Sequence, residues 1–300
     1  MSERTQDEQA AGRSVTRPGT GSSGLTDVER IVGAFYDQMA DDEQVRLEKA
    51  FPVEYLMTAR YLERHVPERS VVADVGVGGG QYDELLARRQ CRLYLADVSE
   101  RLLQGAVARL DSCGLGAAVI DARVASAARL SHLGDASVDG ILLLGPLYHL
   151  LAPGERHRAV AEANRVLKPG GVLFASAVNR LVGVLYGFAL EADRGNEQLS
   201  RYLRFLDDGL TDPEFAPGIG RAYFATPEEF AALFVGQFDT IMLAGLESVT
   251  ATRQESFPDL SRADRAAWLE ILELVAESRD ALAMSEHLLF VGRKAAAQDA

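Results

Sequence analysis

Three hundred residues, 47% hydrophobic and 25% charged, can bury a large core in one big domain or two small ones. The 44 acids against 31 Lys plus Arg leave a formal net charge of −13, a surface that repels phosphate backbones and anionic lipid and argues against nucleic-acid and membrane partners. Cys91 and Cys113 show no CxxC spacing, no run is long enough to cross a bilayer and the N-terminus lacks an apolar targeting segment, so a reducing, cytoplasmic setting without a thiolate metal site is expected.

Residues 1–25 are polar, rich in Ser, Gly and Thr, and lack periodicity, the pattern of a disordered tail. From Thr26 onward Val28, Ile31, Val32 and Phe35 fall at i, i+3, i+4 and i+7, which predicts a helix. A second helical run covers 53–65 and is ended by Pro67, so 26–68 reads as a helical pair. The rhythm then changes. Short apolar runs at 71–75, 92–97, 117–121, 140–145 and 171–177 alternate with helical stretches at 82–89, 100–112 and 153–167. Such alternation implies right-handed βαβ units, and the expected fold is α/β, doubly wound on a mostly parallel sheet.

Between 178 and 222 the alternation stops, and Tyr186, Phe188, Tyr202 and Phe205 fall in a stretch too long for a plain loop. A helical insertion over one face is expected there. The pattern resumes with a helix at 226–234, a strand at 238–246 and an amphipathic helix near 261–279, with Trp268, Ile271, Leu272 and Val275 on one face. A last strand at 287–293 closes a single domain over 26–300 with seven strands.

The most informative stretch is VVADVGVGGGQ, residues 71–81, with four glycines in five positions. Glycine serves where backbone turns sharply or comes very close to something. A P-loop would need GxxxxGK followed by Ser or Thr, and no lysine follows. A dinucleotide fingerprint would need a third glycine where Gln81 stands. The chain has instead Asp74, Gly76, Gly78 and Gly80 at alternate positions, with an acid ahead of the first glycine. A carboxylate at the end of the first strand repels pyrophosphate and suits an ammonium group. Asp97, closing the second strand 21 residues past Gly76, can accept from both hydroxyls of a ribose. The loop thus suits a nucleoside with a positively charged tail.

These motifs resemble those of the class I S-adenosylmethionine-dependent methyltransferases over roughly 71–293. VADVGVGGG is similar to their glycine motif, with Val77 and Gly79 where many relatives carry Cys or Thr. Asp97 and Val98 in ADVS match the ribose acid and its neighbour, and Asp121 in VIDAR, with Ala122 and Arg123, looks like the adenine side. VDGILLLGPLYHLL, containing Leu144, is similar to the fourth-strand motif but carries Gly145-Pro146, and RVLKPGG resembles the turn into the fifth strand. The resemblance implies a Rossmann-like fold, S-adenosyl-L-methionine as cofactor with S-adenosyl-L-homocysteine as product, and a small-molecule acceptor. It also implies N-terminal helices that fold over the cofactor, where Tyr36 and Arg46 are placed to meet the methionine carboxylate.

Beyond the fourth strand, where open α/β sheets place ligands, stand Tyr148 and His149. Tyr148 either packs under the cofactor or faces the acceptor; His149 is either a helix cap or the general base. His287 opens the last strand and is assigned to the fold. His65, His132 and His157 have no ligand spacing, so no metal site is expected. The expected reaction is in-line methyl transfer by a monomer or homodimer. A cofactor-holding subunit without transfer activity and a dinucleotide oxidoreductase are the competing readings.

Overall fold

The computed structural model describes residues 24–191, 194–216 and 218–295. The tail read as disordered lies almost wholly outside the described residues.

Helix α1 (Asp27–Lys49) begins at a capping box: the Thr26 side chain accepts from the Glu29 amide, and the Glu29 carboxylate accepts from the Thr26 amide. Helix α2 (Pro52–His65) starts on a proline, whose missing N–H would be unpaired there in any case. The alternating core follows as β1 (Val71–Val75), α3 (Gln81–Arg88), β2 (Arg92–Asp97), α4 (Glu100–Ser112), β3 (Val119–Val124) and β4 (Val138–Leu143). After these come the short α5 (Pro146–His149), α6 (Pro153–Val166) and β5 (Leu167–Val178). Two helices, α7 (Arg180–Glu191) and α8 (Gly195–Asp208), occupy the segment where the alternation stops. The chain finishes with α9 (Pro227–Ala232), β6 (Asp239–Gly245), α10 (Arg262–Val275), α11 (Arg279–Met284) and β7 (His287–Arg293).

The seven strands form one sheet in the order β3-β2-β1-β4-β5-β7-β6. All pairings are parallel except those of β7, which runs antiparallel to both β5 and β6. Side chains alternate across the sheet as strand geometry requires. Val72, Leu93, Leu142 and Phe174 point to a face covered by α2, α3, α4 and α10. Ala73, Ile141, Leu143 and Phe290 point to the other, covered by α6 and α9. Phe174 is fully buried, and truncation to Ala would cost about 3–5 kcal/mol.

Several expected bounds shift, β4 to Val138–Leu143 and β5 to Leu167–Val178 among them. The third strand begins at Val119, because Gly116–Ala118 takes a 3-10 turn, and its end moves from 121 to Val124. In α10 the buried residues are Leu269 and Leu272, while Trp268 and Ile271 are over 40% exposed; a break after Ala276 separates it from α11.

The antiparallel run of β7 decides where the site can form. Its first residue, His287, lies level with Val178, the last residue of β5. The start of β7 therefore sits at the same carboxyl edge of the sheet as Asp74 and Asp97. No helix among the described residues is long and apolar enough to cross a membrane.

Candidate functional site

The glycine loop leaves β1 at the carboxyl edge. Gly76 has φ +91°, and a Cβ there would sit 2.8 Å from the ring of Pro146, so the loop can lie against the end of β4 only with glycine at this position. Gly80 stands apart from the other loop glycines. It ends the loop in the left-handed region, but a Cβ on it would meet Ala106 of α4 at 3.0 Å, and it does not line the cleft. Its work is to let α3 and α4 pack closely.

Around the loop, Asp74, Gly76, Gly78, Asp97, Val98, Leu144, Tyr148 and His149 line one cleft, with Tyr36 and Arg46 reaching in from α1. Asp121, Ala122 and Arg123 lie outside it. Because β3 starts late, Asp121 is a mid-strand residue whose carboxylate accepts from Arg123 Nε at 2.5 Å, and the cleft is lined at this end by Ala125 and Ala127. An acid the sequence did not single out stands nearby: Glu29, 4% exposed, which accepts from the Ser126 hydroxyl. Its place in a capping box concealed it.

Helix α1 is the roof. Asp37 on it accepts from the Ser99 hydroxyl at 2.6 Å and the Arg101 amide at 3.1 Å, fixing α1 to the start of α4. Farther along, the Gln44 carbonyl accepts from Gln81 Nε2 at 2.8 Å. Thus the loop approaches a ligand cleft below and its own lid above. The cleft is narrow, about 90 Å³. Small-molecule pockets run to roughly 300–1,000 Å³, so the cleft is tight for a nucleoside.

Electrostatics are one-sided. Glu29, Glu43, Glu54, Asp74 and Asp97 line the cleft against a single guanidinium, that of Arg46. Asp97 accepts from the Ser99 amide at 2.7 Å, and burial pushes its carboxyl up to about 7 against backbone hydrogen bonds from Ser99, Gly78 and Val77. Asp74 is 2% exposed and its Oδ1 has no protein partner. Burial, then the neighbouring Asp83, raise it well above the ordinary carboxylate range. Asp83 is itself wholly buried on α3 and also raised by burial. Two such carboxyls against each other hold a proton between them.

His149, read either as a helix cap or as a base, is held at both ring nitrogens. Its Nε2 lies 2.9 Å from the Tyr36 hydroxyl and its Nδ1 3.3 Å from the Arg221 carbonyl oxygen. A carbonyl only accepts, so Nδ1 carries the proton and Nε2 accepts from Tyr36. Burial lowers the imidazole to about 4. Both nitrogens are engaged and the ring is neutral. Tyr36 and Tyr148 are raised by burial and stay protonated.

A second cavity of about 560 Å³ adjoins the cleft, and Tyr36, Glu43, Arg46 and Tyr148 line both. Its far wall comes from α7, from the chain after α8 and from the start of β7: Val182, Tyr186, Phe215, Phe224, Glu286 and His287. His287 Nδ1 donates to Glu247 at 2.7 Å, and the His287 amide donates to the other oxygen of that carboxylate at 2.9 Å. Glu54 Oε2 lies 3.6 Å from the same Nδ1 and accepts from Arg46 at 3.3 Å. Sequence spacing gave no hint of this group. Its ligand-type atoms lie within 4.8 Å of one another, and the imidazole and Arg46, which Glu54 shares with Glu43, pair with the carboxylates.

Residues 73–175 match the family model described as a methyltransferase domain. The chain is 31% identical over 170 residues to a ubiquinone biosynthesis O-methyltransferase of Caulobacter vibrioides, covering 57% of this chain and 59% of the relative. It is 36% identical over 164 residues to a protein of the same name from Xanthomonas axonopodis pv. citri, covering 55% and 63%. Over residues 73–175 the chain is similar to the class I S-adenosylmethionine-dependent methyltransferases. It spans about six-tenths of the length of these curated relatives. The N-methyltransferase NodS from Bradyrhizobium japonicum, solved with S-adenosylhomocysteine, shares the fold at TM-score 0.53 and 15% identity, covering 88% of this chain and 98% of that one. The cleft suits a cationic nucleoside: its acidic lining and a partnerless Asp74 Oδ1 favour a sulfonium and an ammonium and would repel a pyrophosphate.

Proposed function

We propose that this methyltransferase moves the methyl group of S-adenosylmethionine to a small-molecule acceptor held in the second cavity. The observation that carries this reading is the shared wall: Tyr36, Glu43, Arg46 and Tyr148 line both the cleft and the cavity, so a donor in one faces an acceptor in the other.

In this reading Asp97 accepts from the ribose hydroxyls and Asp74 faces the ammonium end. Arg46, the one guanidinium in the cleft lining, meets the carboxylate, and Tyr36 and Tyr148 wall off the reacting centre. Glu29 and Ala127 border the base end. When bound, the cofactor supplies a methyl carbon already activated by its sulfonium. The chain's own task is then to align donor and acceptor and exclude water, which α1 does by closing over the loop. That task needs no elaborate catalytic array. The acidic composition keeps nucleic acid out of the acceptor class, and a cytoplasmic setting fits the two unpaired cysteines.

Isothermal titration with S-adenosylmethionine, S-adenosylhomocysteine, NAD and NADP tests the first half. Micromolar binding of the adenosyl ligands alone, weakened at least tenfold in Asp97→Ala, is the expected result. Transfer of labelled methyl to a small-molecule panel tests the second half. Tight binding without transfer to any acceptor would reduce the protein to a cofactor-holding subunit.

A further inference from the structure

The cavity wall holds a histidine that the cofactor reading leaves unused. His287 is 6% exposed and borders the cavity. Its Nδ1 is bound to Glu247, a fully buried carboxylate that also accepts from the His287 backbone amide. A carboxylate can only accept, so the proton sits on Nδ1 and Nε2 carries the exchangeable site. Among the described residues Nε2 has no hydrogen-bond partner, and the Phe51 ring packs edge-on against the imidazole at 5.2 Å. This is the arrangement of a positioned base: one nitrogen is fixed by a carboxylate, the other is free of protein partners, and the residue borders the cavity.

Topology explains how the pair arises. The strand β6 runs parallel to β5, so Glu247, two residues past its end, emerges at the carboxyl edge. Because β7 runs the other way, His287 begins there. Forty residues of sequence separate two side chains that the sheet brings together.

We propose that His287, oriented by Glu247, takes the proton from a phenolic hydroxyl of an acceptor bound in the second cavity. This inference rests on the methyl-transfer reading. As the acceptor oxygen bonds to the methyl carbon, the carbon–sulfur bond breaks with its electron pair kept by sulfur. The hydroxyl proton passes to Nε2 and leaves later to solvent.

The cavity lining and the charges around His287 select the phenol. Aromatic rings of Phe51, Tyr186, Tyr202, Phe215 and Phe224 line the cavity and suit a planar ring. An amine acceptor, already neutral, would need no base. The charges around His287 also fit: against burial, which would lower it, Glu54 from α2, Glu247 after β6 and the adjacent Glu286 raise the imidazole to about 9. Arg46 pairs with Glu54, and Tyr186 donates to Glu286 at 2.8 Å. A phenol with an ordinary value near 10 is close in acidity to this imidazolium, so the proton passes at little cost. An aliphatic alcohol is far too weak an acid for the same transfer.

The test has two parts. In protein labelled with ¹⁵N-histidine, NMR should show one imidazole, absent in His287→Gln, titrating near pH 9 and carrying its neutral-state proton on Nδ1. Glu247→Gln should bring that value down toward the ordinary range. Titration near 6.5 in the wild type, or an Nε2–H tautomer, would overturn the proposal without reference to activity. Then transfer to catechol and 4-nitrocatechol is compared with transfer to aniline. Wild-type kcat/KM for a phenol should rise about tenfold per pH unit from 6 to 8 and level near 9. His287→Gln should lose at least 100-fold and the slope, and Glu247→Gln at least tenfold, with cofactor affinity unchanged in both. A retained slope in His287→Gln, transfer to aniline only, no transfer to either phenol, or activity abolished by EDTA and restored by Mg²⁺ would each sink the proposal. Cofactor binding by the wild type distinguishes these failures from failure of the methyl-transfer reading, which would show as no adenosyl binding at all.

Discussion

The hydroxyl of Tyr36 lies 2.9 Å from Nε2 of His149, and this bond fastens the middle of α1 to the segment after β4. The cleft closes between those two elements. His149 must remain neutral to accept from Tyr36, and burial ensures that it does by lowering the imidazole to about 4.

Acid should therefore open this latch. Between about pH 6.5 and 4 the unfolded chain binds a proton on His149 that the folded chain refuses, so stability falls as pH falls through that window. The ceiling on this contribution is about 3 kcal/mol. Melting curves from pH 7 to 4.5 should show a steeper decline for the wild type than for His149→Gln. Tyr36→Phe should leave Nε2 buried without a donor, cost about 1–3 kcal/mol and weaken cofactor binding without changing the pH slope of transfer. A pH slope lost in Tyr36→Phe would mean the latch takes part in proton transfer.

Gly33 makes a second prediction with competing terms. In a helix interior, Gly→Ala should stabilise by about 1 kcal/mol. Here an added Cβ would sit 2.5 Å from the carbonyl oxygen of Val98, a backbone atom that cannot swing away. The clash wins. Gly33→Ala should lift α1 from the loop after β2 and weaken S-adenosylhomocysteine binding tenfold or more, with little change in melting temperature. Unchanged affinity would show that α1 is not the lid.

Asp97 sets the pH dependence of binding. Its carboxyl, raised to about 7 by burial, is half protonated near neutrality, yet only the ionised form accepts from both ribose hydroxyls. Affinity for S-adenosylmethionine should tighten about tenfold from pH 6 to 8. Asp97→Asn should bind weakly and without that slope. A slope surviving in Asp97→Asn would assign the titration to the Asp74–Asp83 pair.

Which of these features the sequence reveals follows from how local each one is. The glycine loop, Asp74 and Asp97 lie within one βαβ unit, so spacing alone placed them in the cleft. Asp121 lies mid-strand rather than at a strand end because Gly116–Ala118, which looks like the start of a strand, takes a 3-10 turn and β3 runs on to Val124. Glu29 was hidden behind an ordinary local job, closing a capping box. Glu247 and His287 meet only because β7 reverses direction, a choice made by tertiary packing that leaves no mark on periodicity.

The Asp74–Asp83 pair gives the last prediction. Both carboxyls are buried and raised, and apart from the proton shared with Asp74 no donor among the described residues reaches either oxygen of Asp83. A raised acid binds its proton more tightly in the folded chain than in the unfolded one. Stability is then fully present below about pH 4 and drains as pH rises toward and past 7. The loss is on the order of 2–4 kcal/mol. Asp83→Asn replaces one carboxyl by an amide that can donate to Asp74, so Asp74 ionises without a like-charged neighbour. The variant should melt several degrees higher than the wild type at pH 8 and differ little at pH 5. It should bind S-adenosylmethionine at least as tightly at neutral pH, because an ionised Asp74 faces the ammonium group. Scanning fluorimetry at the two pH values decides the first point and titration calorimetry the second. Equal melting shifts at both pH values would show that the pair holds no proton between its members.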